Sequence, residues 1–271
     1  MKHSLPATIL ITVCVVSLVS CGSMRQADRI KGTSKADTSM MYDRYMGRII
    51  FLDKAPNTKG SYIYHSIIND PDAYIRAVAR TVLQTLYFSP QDSIPQCRTL
   101  RYTIEDVEGI SAKDGGGGEV SIFYSTRHVE RSFEHHDTAR VDFETRGVLL
   151  HELTHAFQLE PQGIGSYSSN RTFWAFIEGM ADAVRVACGG FHGDKDRPKG
   201  GNYKDAYRYT GYFFNWVREY KDKDFLRKMN RSTLEVVPWS WDGAVQYALG
   251  SGYTMDKLWQ EYQIAVGDIK Q

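Results

Sequence analysis

Apolar residues recur at two different spacings in two parts of the chain. Before residue 130 the pattern alternates. Leu100, Tyr102 and Ile104 stand against Arg101, Thr103 and Glu105, and Val120, Ile122 and Tyr124 repeat the alternation beyond a run of four glycines, 115–118. A period of two is that of a half-buried strand, so both stretches read as strands. Arg48-Ile49-Ile50-Phe51-Leu52, a short apolar run ahead of the turn-rich segment 54–60, reads as another. Between them, Ile75, Val78, Ala79, Val82, Leu83 and Leu86 recur at helical spacing, with Pro71 in the first turn and Pro90 just past the end. That predicts an amphipathic helix of about five turns lying over the sheet. From Phe143 onward the spacing is helical throughout: 143–158, 173–188, 203–220, 241–248 and 255–264. Strands followed by helices predict an α+β fold, with a mixed β-sheet in the N-terminal half and a mostly helical C-terminal half.

The first forty residues follow neither spacing. Met1-Lys2-His3 is basic and 9–19 is almost entirely apolar, too short a stretch to span a bilayer as a mature helix, so 1–20 reads as a signal peptide. It ends in Leu18-Val19-Ser20-Cys21, which resembles the bacterial lipobox, in which the cysteine becomes the lipidated first residue of the mature protein. Gly22 and Ser23 follow with no Asp directly after the cysteine, so the resemblance implies a cell-envelope lipoprotein of the outer membrane, attached through Cys21. Residues 21–43 are polar and lack apolar periodicity, which suits a flexible tether, and 44–271 read as one domain.

Composition narrows the partners. With 33 Lys+Arg against 32 Asp+Glu, the net charge is +1, which gives no reason to expect nucleic acid or a polybasic membrane surface. Cys97 and Cys188 remain after Cys14 leaves with the signal and Cys21 takes lipid; they are left either to pair or to stand as separate buried thiols.

The chemistry begins at His151-Glu152-Leu153-Thr154-His155. Two histidines four apart project from one helical face a single turn from each other, the spacing two imidazoles need to hold one zinc ion. Glu152 lies beside that stripe, placed to take a proton as general base without ligating the ion. Leu149, Leu150, Leu153, Ala156 and Phe157 form the apolar stripe that buries the helix. In the next helix Glu178 and Asp182 again share a face, inside an otherwise apolar run, and carboxylates there need partners. Glu178 is the candidate third ligand, and Asp182 the acceptor for the free ring N–H of His151 or His155. His135 and His136 are adjacent in a charged segment and read as solvated loop residues; neither they nor His128 are assigned to the ion.

Several motifs in order resemble the peptidases named after the plant basic secretory proteins, which also occur in bacteria. The likeness runs through Ile104-Glu105-Asp106-Val107-Glu108-Gly109 and Glu119-Val120-Ser121-Ile122, is densest over 147–158, and resumes over 177–185. It continues at Ala206-Tyr207-Arg208-Tyr209-Thr210 with Phe213-Phe214 and closes at Leu258-Trp259-Gln260-Glu261-Tyr262. The resemblance implies a zincin-like fold in which a Glu, and not a third His, closes the zinc site, and peptidase activity on extracellular or periplasmic protein. Tyr207, where the likeness resumes at the start of a helix, is the candidate second donor to an oxyanion, with Tyr203, Tyr209 and Tyr212 competing. Two stretches depart from the family pattern: a longer 161–172 linker, and Trp239-Ser240-Trp241 in place of an apolar run. Two other readings stay open, a catalytically silent zincin that binds surface glycoprotein and a zinc amidase acting on a non-peptide substrate. The stretch Val120–Tyr124 is also a candidate sheet edge for pairing with an extended substrate.

Overall fold

Residues 39–270 are described by the structure, a computed structural model. The leader, Cys21 and most of the proposed tether lie outside the described residues. Tyr42 and Asp43, at the end of the stretch read as tether, are part of the fold: Tyr42 is buried and Asp43 accepts from the Arg80 guanidinium at 2.6 and 2.7 Å.

Four strands, β1 (Met46–Asp53), β2 (Cys97–Glu105), β3 (Ser111–Gly116) and β4 (Glu119–Ser125), form one sheet in the order β1-β2-β4-β3. β1, β2 and β4 run parallel and β3 runs antiparallel to β4, so the sheet is mixed. The alternation read from the sequence places Leu100, Tyr102, Ile104, Val120, Ile122 and Tyr124 in the core. β4 is flanked on both sides by strands, so it is not an edge. The free edge beside the site is β3; Gly115 near its end and Gly117 just beyond it, at φ of 81° and 58°, turn the chain back into β4.

Helix α1 (Lys59–Ile67) and the amphipathic α2 (Pro71–Leu86) connect β1 to β2. α2 begins where Asp70 accepts from the Ala73 N–H and Pro71 occupies the first turn; it packs on β1 and on α4. After β4 come α3 (Thr126–Ser132), α4 (Thr138–Phe157) and α5 (Arg171–Ala187), then α6 (Tyr207–Tyr220), α7 (Phe225–Glu235), α8 (Trp241–Leu249) and α9 (Met255–Ala265). α4 starts five residues before the apolar periodicity does because Asp137 caps it, and Asn170, accepting from the Thr172 and Phe173 N–H groups, starts α5 early in the same way.

The helical half is held by aromatic packing. Trp239 and Trp241 stand 5.0 Å apart between ring centroids, and Trp239 lies 4.7 Å from Phe176 on α5. The Trp-Ser-Trp departure is thus a core element that seats α5, two residues from Glu178. Cys97 and Cys188 are both free thiols.

Candidate metal centre

α4 sinks Leu149, Leu150, Leu153 and Phe157 into the core, which turns the opposite stripe, with His151 and His155, toward α5. The end of α4 is clamped. The Tyr87 hydroxyl donates to the Phe157 carbonyl at 2.5 Å, and Asn230, itself buried, accepts from the Leu159 N–H at 2.8 Å.

α5 is buried on almost every side. Glu178 and Asp182 are 5% and 4% exposed, so each carboxylate has been taken out of water and needs a partner. The helix approaches α6 closely through two glycines: a Cβ on Gly179 would fall 2.4 Å from Thr210, and one on Gly211 would fall 2.8 Å from the Asp182 Cβ. α6 therefore lies directly against the backbone that carries both carboxylates.

The two helices bring three ligand atoms to one point. His151 Nε2 and His155 Nε2 are 3.0 Å apart, and Glu178 Oε2 is 3.2 Å from the first and 3.5 Å from the second. Donors on a tetrahedral zinc at about 2.0–2.1 Å stand roughly 3.3–3.4 Å from one another, so the donor set fits the ion in both type and spacing. His151 Nδ1 donates to Asp182 Oδ1 at 2.7 Å, which leaves its Nε2 aimed inward. Burial alone would lower the His151 pKa, but the hydrogen bonds with Asp182 and Glu178 more than reverse this and raise it to about 10. His155, buried beside that charge, is lowered, and Glu178, although burial opposes it, is held well below the usual carboxylate range by the two imidazoles. A pocket with Glu152, Glu178 and Asp182 around two histidines thus draws in positive charge, a second respect in which it suits a divalent cation.

Other groups converge here. Glu152 is 6% exposed and lines both hollows of a cleft, of about 670 and 490 Å³, which share Ser111, His151, Glu152 and Tyr207 in their walls. Ala206 and Tyr207 both have left-handed backbones, φ 66° and 44°, a strained pair that breaks the predicted 203–220 helix before α6 and turns the Tyr207 ring onto His151. The two rings are nearly parallel with centroids 6.1 Å apart. Burial, with the charges of Glu178 and Asp182, pushes the Tyr207 hydroxyl up to about 12, so it stays a donor through the neutral range. Of its competitors, Tyr203 donates to Asp256 and Tyr212 to the Gly193 carbonyl, while Tyr209 lines the larger hollow.

Two participants escaped the sequence reading. The Tyr167 hydroxyl donates to Glu178 Oε1 at 2.6 Å, leaving Oε2 to the histidines. It comes from the 161–172 linker, which has no periodicity to mark it. Gln158 closes the densest motif, and its amide lies 2.8 Å from His155 Nδ1. His128, on α3, is largely buried and lines the larger hollow beside Glu144 and Arg185, whereas His135 and His136 are exposed.

A family model described as BSP, peptidase of plants and bacteria, matches residues 48–262. No curated protein and no solved structure matches the chain.

Proposed function

Because the chain belongs to the BSP family, the peptidases of plants and bacteria, we propose that it is a zinc-dependent metallopeptidase of the cell envelope, carried on a lipid at Cys21. The observation that carries this reading is the convergence of His151 Nε2, His155 Nε2 and Glu178 Oε2 within 3.5 Å of one another, at the bottom of a cleft that also holds Glu152. The two histidines and Glu178 would hold the zinc ion, which would supply Lewis acidity when bound.

The chain's own groups do the rest. β3 borders both hollows and presents an unpaired strand edge, so an extended peptide adds to the sheet by main-chain hydrogen bonds and crosses the centre. Glu152 takes a proton from the attacking water on a carboxylate oxygen and returns it to the leaving nitrogen. The Tyr207 hydroxyl donates to the oxygen of the scissile carbonyl as charge develops there. Tyr167 holds Glu178 by one oxygen, and Asp182 holds the tautomer of His151.

The test is metal content followed by cleavage of a mixed peptide library. Wild type and Glu152→Gln should each bind about one zinc per chain, with cleavage by the wild type alone. Zinc bound without cleavage of any peptide would favour the silent binder, and absence of bound zinc would remove the reading. For the anchor, Cys21→Ser should move the protein from the membrane fraction to the soluble envelope fraction; unchanged fractionation would refute lipidation.

A further inference from the structure

His151 and His155 occupy the same face of α4 but are backed by different chemistry. Asp182 is a carboxylate, an acceptor only when ionised, so it dictates an N–H at His151 Nδ1 and leaves Nε2 as the nitrogen that can give up its proton to an ion. His155 has no carboxylate behind it. Its Nδ1 lies 2.8 Å from the side-chain amide of Gln158, three residues on at the clamped end of the helix.

An amide has two ends, and they impose opposite tautomers. With Nε2 toward the ring, Gln158 donates to Nδ1, and the His155 proton is then on its Nε2, pointing into the centre. In that orientation Gln158 Oε1 is buried with no hydrogen-bond partner, and an orphaned buried acceptor costs about 1–3 kcal/mol. Turning the amide end for end needs almost no change of volume. It sets Oε1 against Nδ1–H and frees the His155 Nε2 lone pair; the NH2 takes the place Oε1 had, so the orientation is decided by the need for a lone pair at His155 Nε2.

We propose that Gln158 is the positioning residue of His155: its Oε1 accepts from Nδ1–H and so selects the tautomer in which Nε2 is a ligand. The proposal rests on the zinc reading above. The centre then has one imidazole supported by an anion and one supported by a neutral amide, which makes His155 the weaker donor of the two. The clamp from Tyr87 and Asn230 keeps the amide in place, since Gln158 follows directly on the residue whose carbonyl Tyr87 holds.

Zinc affinity of the full chain, measured by competition with a chromophoric chelator, reads this directly and separately from catalysis. Gln158→Leu should weaken binding by about 10- to 100-fold, the usual effect of losing such a partner. Gln158→Glu, an acceptor at both oxygens, should bind at least as tightly as the wild type. Nitrogen NMR of the histidine rings in zinc-free wild type should find the His155 proton on Nδ1. Wild-type affinity in Gln158→Leu, or a proton on His155 Nε2 in the zinc-free protein, would overturn the assignment. If Gln158→Leu fails to fold, the Gln158→Glu affinity and the NMR of the wild type still decide. A wild type that binds no zinc at all would instead defeat the reading on which the proposal rests.

Discussion

α4 and α5 contribute to one centre under different constraints. α4 docks by one stripe, with leucines and Phe157 inward and two histidines on the opposite stripe, so its candidate ligands face the cleft wherever the helix docks by its apolar side. α5 has no free polar side. Phe173, Phe176, Ile177, Met180, Ala181 and Val184 are all buried along with Glu178 and Asp182. Its carboxylates are tolerable only because α4 supplies imidazoles and the linker supplies Tyr167. α4 therefore positions the site, while α5 depends on the site for its own burial. Changes on α5 should disturb metal binding and folding together, and changes on the polar stripe of α4 should be felt mainly in binding.

The strongest way to break this contrast is Glu178→Ala. It removes the proposed third ligand and leaves His151 with less opposing charge, so zinc affinity measured against a chelator should fall by more than roughly 100-fold, beyond the effect of losing an outer partner. Tyr207→Phe, which removes no ligand, should keep the ion and instead lower kcat on the best library peptide, by about 10²–10³ if it is the oxyanion donor. Asp182→Asn comes next. An amide tolerates either tautomer of His151, and zinc binding should weaken by about 10- to 100-fold, with a lower melting temperature in chelator as well.

Gly211→Ala sharpens the comparison without touching a polar group. Its Cβ would sit 2.8 Å from the Asp182 Cβ and 2.9 Å from the Asp182 backbone carbonyl carbon. Overpacking of this kind costs about 1–3 kcal/mol, which calorimetry should read as a drop of a few degrees in melting temperature, at about 2–4 °C per kcal/mol for a chain of this size. Zinc affinity should fall with it; a melting drop with wild-type affinity would mean that α5 is not coupled to its docking as argued. The smallest effect belongs to the ion pair that links the helices, Glu144 on α4 with Arg185 on α5, 3.3 Å apart. Glu144 is held below its ordinary value, first by His128, whose Nε2 stands 3.8 Å away, and then, against burial, by Arg185. Its contribution is thus present above the unfolded value of about 4.3 and is lost as pH falls through the lower folded value. Urea denaturation between pH 6 and about pH 3 should find Glu144→Gln less sensitive to acid than the wild type.

Much of this centre was legible because helix geometry is local. The i, i+4 pairs at 151/155 and 178/182 need only 3.6 residues per turn to share a face, and Glu152 needs only to be adjacent. Tyr167 was not legible: it is one of 17 tyrosines, in a linker without periodicity, and its role exists only because the chain folds back on Glu178. β3 escaped because Ser111-Ala112-Lys113-Asp114-Gly115-Gly116 carries no apolar alternation, as suits a strand with no buried residue and only partial cover on one face. α7 escaped for a different reason: Phe225, Leu226 and Met229 do recur at helical spacing, but the segment is polar on average, and Asn230, Ser232 and Thr233 fill much of its buried face.

Taken by itself, the sequence determined the kind of ligand, the pairs that share a face, and the α+β order of elements, all of which follow from spacing along a single segment. The tertiary structure alone decided that α4 and α5 face each other with three donor atoms within 3.5 Å, that β3 borders the cleft, and that Asp182 meets His151 and not His155. The reason is physical: the reach of a side chain within its own helix is set by a repeat that every helix shares. Which helix it meets is set by the summed burial of the whole core and by glycines such as Gly179 and Gly211, which permit one close approach.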